Sequence, residues 1–342
     1  MGSVKARYLP GNLMHDPMMF DAVKVVTAYP PAIAKAKWTP LRSAGGFSGA
    51  RLWRGTAADG REFALKAHPP GADAGRVENV VHRWMTTATQ AGLGFVPIVE
   101  RTRAERTVVE HADRAWDVTA WLPGRADFHA DPTDPKLVAA VTAVARLHAA
   151  WAGEHTTVPC PAVVRRWKAL LAWEELLASG WRPRIDAHDP CRSPAEAAWS
   201  SLPRAIAGIW PAILHWLHEP VPVQPCVCDL WHDHVLYDGD RITGIIDFAA
   251  AKADHVAVDL ARLLGSLIPD DATRTEKALQ AYAAVQPLPR PELVPFLDRT
   301  GIVVAVTNWL RWLYHDGREY PDRNAVAERL AKLVGRLERI VL

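Results

Sequence analysis

A chain of 342 residues, 49% of them hydrophobic, is long enough for two lobes with substantial cores. Its 40 basic and 38 acidic residues leave a net charge of +2 with no long basic run, so nothing calls for a polyanionic partner such as nucleic acid. No apolar stretch reaches the roughly 18 residues of a membrane span, and Met1–Asn12 lacks the apolar core of a signal peptide.

From the N-terminus, Met18 to Tyr29 places Met19, Phe20, Val23 and Val26 at helical spacing and stops at Pro30-Pro31, which predicts a helical extension over 1–37. Strands are expected at 38–42 and 50–54, flanking a loop with Gly45, Gly46, Phe47 and Ser48 at its centre. Glycines in a tight loop expose backbone N–H groups to an anion. A third strand runs from Arg61 to Ala67 and contains Lys66. An amphipathic helix over 74–91 follows, with Glu78 in it, then strands at 96–99, 107–110 and 115–121. Leu122-Pro123-Gly124-Arg125 breaks the pattern. Beyond it the spacing is helical at 134–153, 162–179, 192–218, 255–267, 272–284, 291–315 and 322–341, interrupted by one hairpin. Strands first and helices afterwards predict an α+β protein. Cys160, Cys191, Cys226 and Cys228 lack zinc spacing and read as reduced thiols of a cytoplasmic protein.

The hairpin carries the chemistry. Asp229 opens the polar loop Leu230-Trp231-His232-Asp233-His234, strands 235–237 and 242–246 flank the turn Asp238-Gly239-Asp240, and Asp247 ends the second strand. A hairpin brings its ends together, so Asp229, His234 and Asp247 should converge. Two carboxylates and an imidazole in one small volume need a cation or a proton to share. Metal-assisted transfer to a hydroxyl is the matching chemistry.

This segment resembles the catalytic core of the aminoglycoside phosphotransferase and choline kinase family, the small-molecule branch of the kinase-like fold. The matching residues are Asp229, the pair Val235-Leu236 and the run Gly244-Ile245-Ile246-Asp247-Phe248; Val227, Cys228 and His234 stand where the family has histidine, glycine and asparagine. The resemblance spans about 38–315. It implies a two-lobed protein-kinase-like fold: a small antiparallel-sheet N-lobe at 38–121, a hinge at 122–125, and a mainly helical C-lobe at 126–342. It implies Asp229 as the catalytic carboxylate and His234 and Asp247 as ligands of Mg2+ (or Mn2+). Gly45, Gly46, Phe47, Ser48 and Lys66, the last paired with Glu78, would hold the phosphates of ATP (or GTP). The Ala120 carbonyl and the Leu122 amide would recognise the base. His148 and Asp259 match supporting residues behind the catalytic loop.

The implied activity is nucleotide-dependent phosphorylation of a small-molecule hydroxyl, with a catalytically impaired nucleotide-binding pseudokinase as the alternative. A cationic amine, amino sugar or antibiotic would suit the aromatic and acidic group Trp309, Trp312, Tyr314 and Asp316, although a Trp pair at i, i+3 more often packs a core, which is the favoured reading here. Neither a nucleic acid nor a membrane partner is expected.

Overall fold

The computed structural model describes residues 17–41, 49–153 and 156–341. They fall into two compact units. One comprises residues up to Arg83 together with Pro97–Trp121; the other comprises Trp84–Val96 and everything from Leu122 onward.

In the first unit, α1 (Pro17–Val26) and α2 (Pro31–Ala34) precede β1 (Lys37–Pro40), β2 (Arg51–Thr56) and β3 (Glu62–Ala67). Next comes α3 (Ala74–Arg76), whose first turn is capped by the Asp73 carboxylate accepting from Arg76 N. It passes through a π-helical turn, Val77–Val81, into α4 (His82–Gln90). The strands β4 (Val109–His111) and β5 (Arg114–Ala120) complete an antiparallel sheet of order β1-β2-β3-β5-β4. Alternation along β3 turns Phe63, Leu65 and Ala67 to a core shared with Trp53, Trp116 and Val118. The rings of Trp53 and Trp116 stack at 5.4 Å. The core is closed by Ala22, Val25 and Val26 of α1, with Tyr29 and Ile33. The described part of the expected N-terminal extension thus packs into the core of this unit. A Cβ on Gly55 would come within 2.8 Å of the Trp38 ring, so glycine lets β1 lay its indole across β2.

The opposite face of β3 and β5 is polar. Lys66 stands directly across the ladder from Asp117. Asp117, 6% exposed, bonds to His68 Nε2 at 2.6 Å and lies 3.4 Å from His82 Nε2, while His82 Nδ1 meets Thr107 Oγ1 at 2.9 Å. Burial alone would raise the Asp117 carboxyl, but the charges and hydrogen bonds of His68 and His82 hold it well below the usual carboxylate range. Breaking a buried pair by removing one partner costs about 3–5 kcal/mol. Asp117→Ala should therefore lower the thermal unfolding midpoint by several degrees, as followed by circular dichroism; an unchanged midpoint would show that the cluster contributes no net stability.

Two expectations for this region are corrected. Residues 96–99 form no strand but a single bridge, Val99 to Thr119, since Pro97 has no N–H for a ladder. Residues 84–96 do not cluster with the sheet. The Trp151 indole donates to Trp84 O at 2.9 Å, and Ile245 N donates to Phe95 O at 2.8 Å, tying this segment to the second unit.

The second unit holds α5 (Asp134–Trp151), β6 (Thr156–Pro159), α6 (Pro161–Ala178), α7 (Arg192–Trp216) and β7 (Pro220–Cys226). The hairpin β8 (Val235–Asp238) and β9 (Arg241–Ile245) follows, then β10 (Lys252–Asp254), α8 (Ala257–Leu267), α9 (Ala272–Ala283), α10 (Leu293–Tyr314) and α11 (Arg323–Val341). The hairpin is accompanied by a second small sheet of order β10-β7-β6, which the sequence analysis did not expect. Strands of three or four residues are too short to leave a periodic signal, and β7 is interrupted by proline at positions 220, 222 and 225. One hydrophobic core lies among α6, α7, α10 and α11. Gly124 (φ +108) touches the hairpin: a Cβ there would fall 2.1 Å from Thr243 Oγ1 and 2.8 Å from Tyr237 O, a contact only glycine allows. All four cysteines are free, and no helix of the described residues is long and apolar enough to cross a membrane.

Candidate active site

The site begins beneath the loop that Asp229 opens. Asp259, in the first turn of α8, is fully buried, and its carboxylate accepts from Val227 N at 2.7 Å, Cys228 N at 2.6 Å and His148 Nε2 at 3.0 Å. The other ring nitrogen of His148 meets Tyr282 OH at 2.8 Å. An ionised carboxylate only accepts, so Nε2 carries the proton and Nδ1 takes the tyrosine hydroxyl. Cys226 lies near enough to complete a His148–Cys226–Asp259 donor group, but these hydrogen bonds already occupy it. The cradle holds Cys228 at φ +65, a left-handed conformation that costs a non-glycine residue about 1–2 kcal/mol. Where the resemblance has glycine, the Cys228 amide is held by the Asp259 carboxylate.

Asp229 emerges next, with its side chain half exposed. Arg262 Nε, on α8, donates to Oδ1 at 3.1 Å, which fixes the carboxylate from one side. The loop then closes on itself. His234 Nδ1 bonds to Asp229 O at 2.8 Å, His234 N donates to Trp231 O at 2.8 Å, and the Trp231 indole donates to His234 Nε2 at 2.8 Å. With Nε2 accepting, the proton of His234 sits on Nδ1. His232 N donates to Ser266 Oγ at 3.0 Å, and the His232 ring packs edge-on against His129 at 4.5 Å. Burial pushes His232 down to about 4 against the pull of Asp233, and the charges of His129, Arg329 and Lys332 add to the lowering.

Asp247 follows β9 in the left-handed region (φ 62, ψ 68), and its carboxylate accepts weakly from Ala249 N at 3.4 Å. Asp247 Oδ2 lies 3.8 Å from His234 Nε2. The two therefore offer one oxygen and one nitrogen to a common point. Neighbouring ligands of an octahedral ion with bonds of about 2.0–2.1 Å stand roughly 3 Å apart, so a small closure of this pair, with release of the Trp231 N–H, suits a divalent ion. Carboxylate favours magnesium and manganese, while imidazole admits the softer of the two. The donor set fits the implied metal.

Other predicted residues fall elsewhere. Gly45, Gly46, Phe47 and Ser48 lie outside the described residues. Lys66 is on the polar face of β3. Glu78 is not turned to Lys66: Arg106 holds it at 2.5 Å and Thr107 N donates to it at 2.9 Å, because α3 and its π turn run alongside the loop that precedes β4. Ala120 ends β5, with its N–H given to Ile98 O at 2.8 Å, and Leu122 packs on Gly244 in the second unit.

The proposed acceptor group is corrected. Trp309, 6% exposed, sits in the α6–α7–α10–α11 core with Trp312 and Tyr314 against it. The chain's own side chains fill these partners: Arg318 lies over Trp312 at 4.7 Å, Asp316 faces Arg311 at 3.6 Å and Arg318 at 3.8 Å, and Tyr314 OH donates to Asp189 at 2.9 Å. The helical Trp spacing was a packing signal.

Sequence reasoning missed Arg262, Trp231 and Arg329. Arg262 had a usable clue, three residues after Asp259 on one helix. Arg329 had none, since it reaches the loop from α11, a hundred residues along the chain; its guanidinium lies 4.9 Å from the Trp231 ring centre.

Residues 39–294 match the model of the phosphotransferase enzyme family. A homoserine kinase of Bradyrhizobium diazoefficiens is 32% identical over 154 residues, covering 40% of this chain and 44% of that protein. The chain thus matches less than half the length of that relative. Among solved structures, a spectinomycin phosphotransferase in complex with ADP and spectinomycin superposes with a TM-score of 0.62 at 12% identity, covering 89% of this chain and 92% of the other. A choline/ethanolamine kinase family protein from Mesorhizobium loti gives 0.56 at 19%, covering 95% and 98%. These likenesses establish the α+β, protein-kinase-like fold.

Proposed function

The chain belongs to the phosphotransferase enzyme family, and on that footing we propose that it transfers the terminal phosphoryl group of ATP (or GTP) to a hydroxyl of a small molecule. One observation carries the reading. Asp229 presents a half-exposed carboxylate, braced by Arg262, on the same short loop as His234, whose Nε2 faces Asp247. Phosphoryl transfer asks for positioning and charge neutralisation more than covalent chemistry, and this loop supplies both. Asp229 accepts the proton of the attacking hydroxyl on the oxygen that Arg262 leaves open. Asp247 and His234 would hold a divalent ion, which neutralises phosphate charge when bound. Lys66 supplies a cation for the nucleotide phosphates, and the backbone at Ala120 and Leu122 supplies hydrogen bonds for the base. The amino-acid acceptor named for the homoserine kinase relatives is one candidate substrate.

Nucleotide with a divalent ion should stabilise the protein. A ligand at a hundred times its dissociation constant adds ~2.7 kcal/mol, so ATP with Mg2+ or Mn2+ should raise the melting temperature, and chelation should remove most of the gain. No shift with adenine or guanine nucleotides in the presence of either metal would refute the proposal.

A further inference from the structure

We propose that the acceptor carries an anionic group, in the simplest case a carboxylate, and that Arg329, seated on the Trp231 ring, binds it beside Asp229. The inference rests on the phosphotransfer reading above and names the substrate class of that same site.

Two guanidiniums flank Trp231. Arg262 lies 5.8 Å from the ring centre and is already committed to Asp229 Oδ1. Arg329 lies closer, at 4.9 Å, is partly buried, and has neither a hydrogen bond nor an ion pair among the described residues. A partly buried cation without a protein partner has lost part of its hydration, and an anion arriving there would restore it. Burial and the nearby charge of Arg262 lower Arg329 from its usual range, against the pull of Asp229 and Asp233. A guanidinium resting on an aromatic face keeps its edge N–H groups available, and that edge matches a carboxylate two oxygens at a time. At Trp312 and Asp316 a cationic acceptor would meet Arg318 and Arg311 already in place.

Anionic oxygen could reach Arg329 from the acceptor or from the phosphoryl group in transit, and the test separates them. L-Serine, L-homoserine and 4-hydroxybutyrate, each beside its primary amide, are titrated calorimetrically into protein with a non-hydrolysable ATP analogue and Mg2+. At least one acid should bind about tenfold or more tightly than its amide. Arg329→Gln should erase that ratio, Arg329→Lys should restore part of it, and the analogue's own affinity should change less than about twofold. In turnover, Arg329→Gln should raise KM for the acid far more than it lowers kcat. Acids binding no better than amides would overturn the proposal, while retained analogue binding would leave the phosphotransfer reading intact. A loss of analogue affinity in Arg329→Gln, with the acid-to-amide ratio kept, would assign Arg329 to the phosphates instead. Absence of analogue binding to wild type would sink both.

Discussion

Asp229→Asn should bind nucleotide and metal nearly as wild type does and turn over at least about a hundredfold more slowly. The separation follows from where the carboxylate sits. One of its oxygens is held by Arg262 Nε at 3.1 Å, and the side chain is half exposed toward the space an acceptor hydroxyl would enter. The proposed metal donors, His234 and Asp247, form a separate pair that the amide substitution leaves alone. Asparagine keeps the size of the side chain and an oxygen for Arg262, but it cannot take up a proton, and a positioned general base is worth about 10²–10⁴ in rate. The loop itself should survive, because His234 Nδ1 bonds to the backbone carbonyl of residue 229 and not to its side chain. Nucleotide affinity by calorimetry and phosphate transfer to a responsive acceptor provide the two readouts. Unchanged turnover would remove Asp229 from the reaction. Nucleotide binding in a wild-type protein that phosphorylates no acceptor would favour the pseudokinase reading.

The parts of the molecule that could be read in advance are those whose signal is local. Alternation in β3, the helical spacing of α5 to α11, and the turn at Asp238-Gly239-Asp240 each lie within a few residues, so the α+β class and the hairpin with Asp229, His234 and Asp247 were legible. What escaped depends on distance along the chain. The sheet β10-β7-β6 is assembled from short strands up to about a hundred residues apart, and no strand carries enough pattern to announce itself. Glu78 was assigned to Lys66 from order in the sequence, whereas Arg106 competes for it from a loop whose course only the fold determines. Trp309 and Trp312 show the converse: aromatic residues on a helix look alike whether they line a pocket or a core, and here the core took them. Arg329 sits on a helix with ordinary amphipathic spacing, and nothing nearby in sequence indicates that it ends over Trp231.

The cradle beneath the loop yields the other large effect. Asp259→Asn should cost roughly 3 kcal/mol or more of stability and reduce turnover, although the residue cannot touch a substrate. Its carboxylate is fully buried and serves three donors: Val227 N, Cys228 N and His148 Nε2. An asparagine amide offers one acceptor oxygen and turns an NH2 toward a donor. At least one buried N–H is then unpaired, at about 1–3 kcal/mol, and the loss of a buried charge facing hydrogen-bond donors pushes the cost toward the 3–5 kcal/mol of a broken buried pair. The same amide bond restrains Cys228 at φ +65, so weakening it lets residue 228 relax and carries Asp229 away from its position beside Arg262. Rates respond steeply to such displacement, since a shift of about 1 Å costs on the order of a hundredfold. Tyr282→Phe provides the contrast. It removes only the hydroxyl at the far end of the relay, on His148 Nδ1, and should lower stability by about 1 kcal/mol with kcat nearly preserved. Denaturant unfolding and steady-state kinetics on both variants test the pair. If Asp259→Asn unfolds at the wild-type midpoint, or if Tyr282→Phe impairs kcat as severely as Asp259→Asn, the cradle does not position the catalytic loop as described.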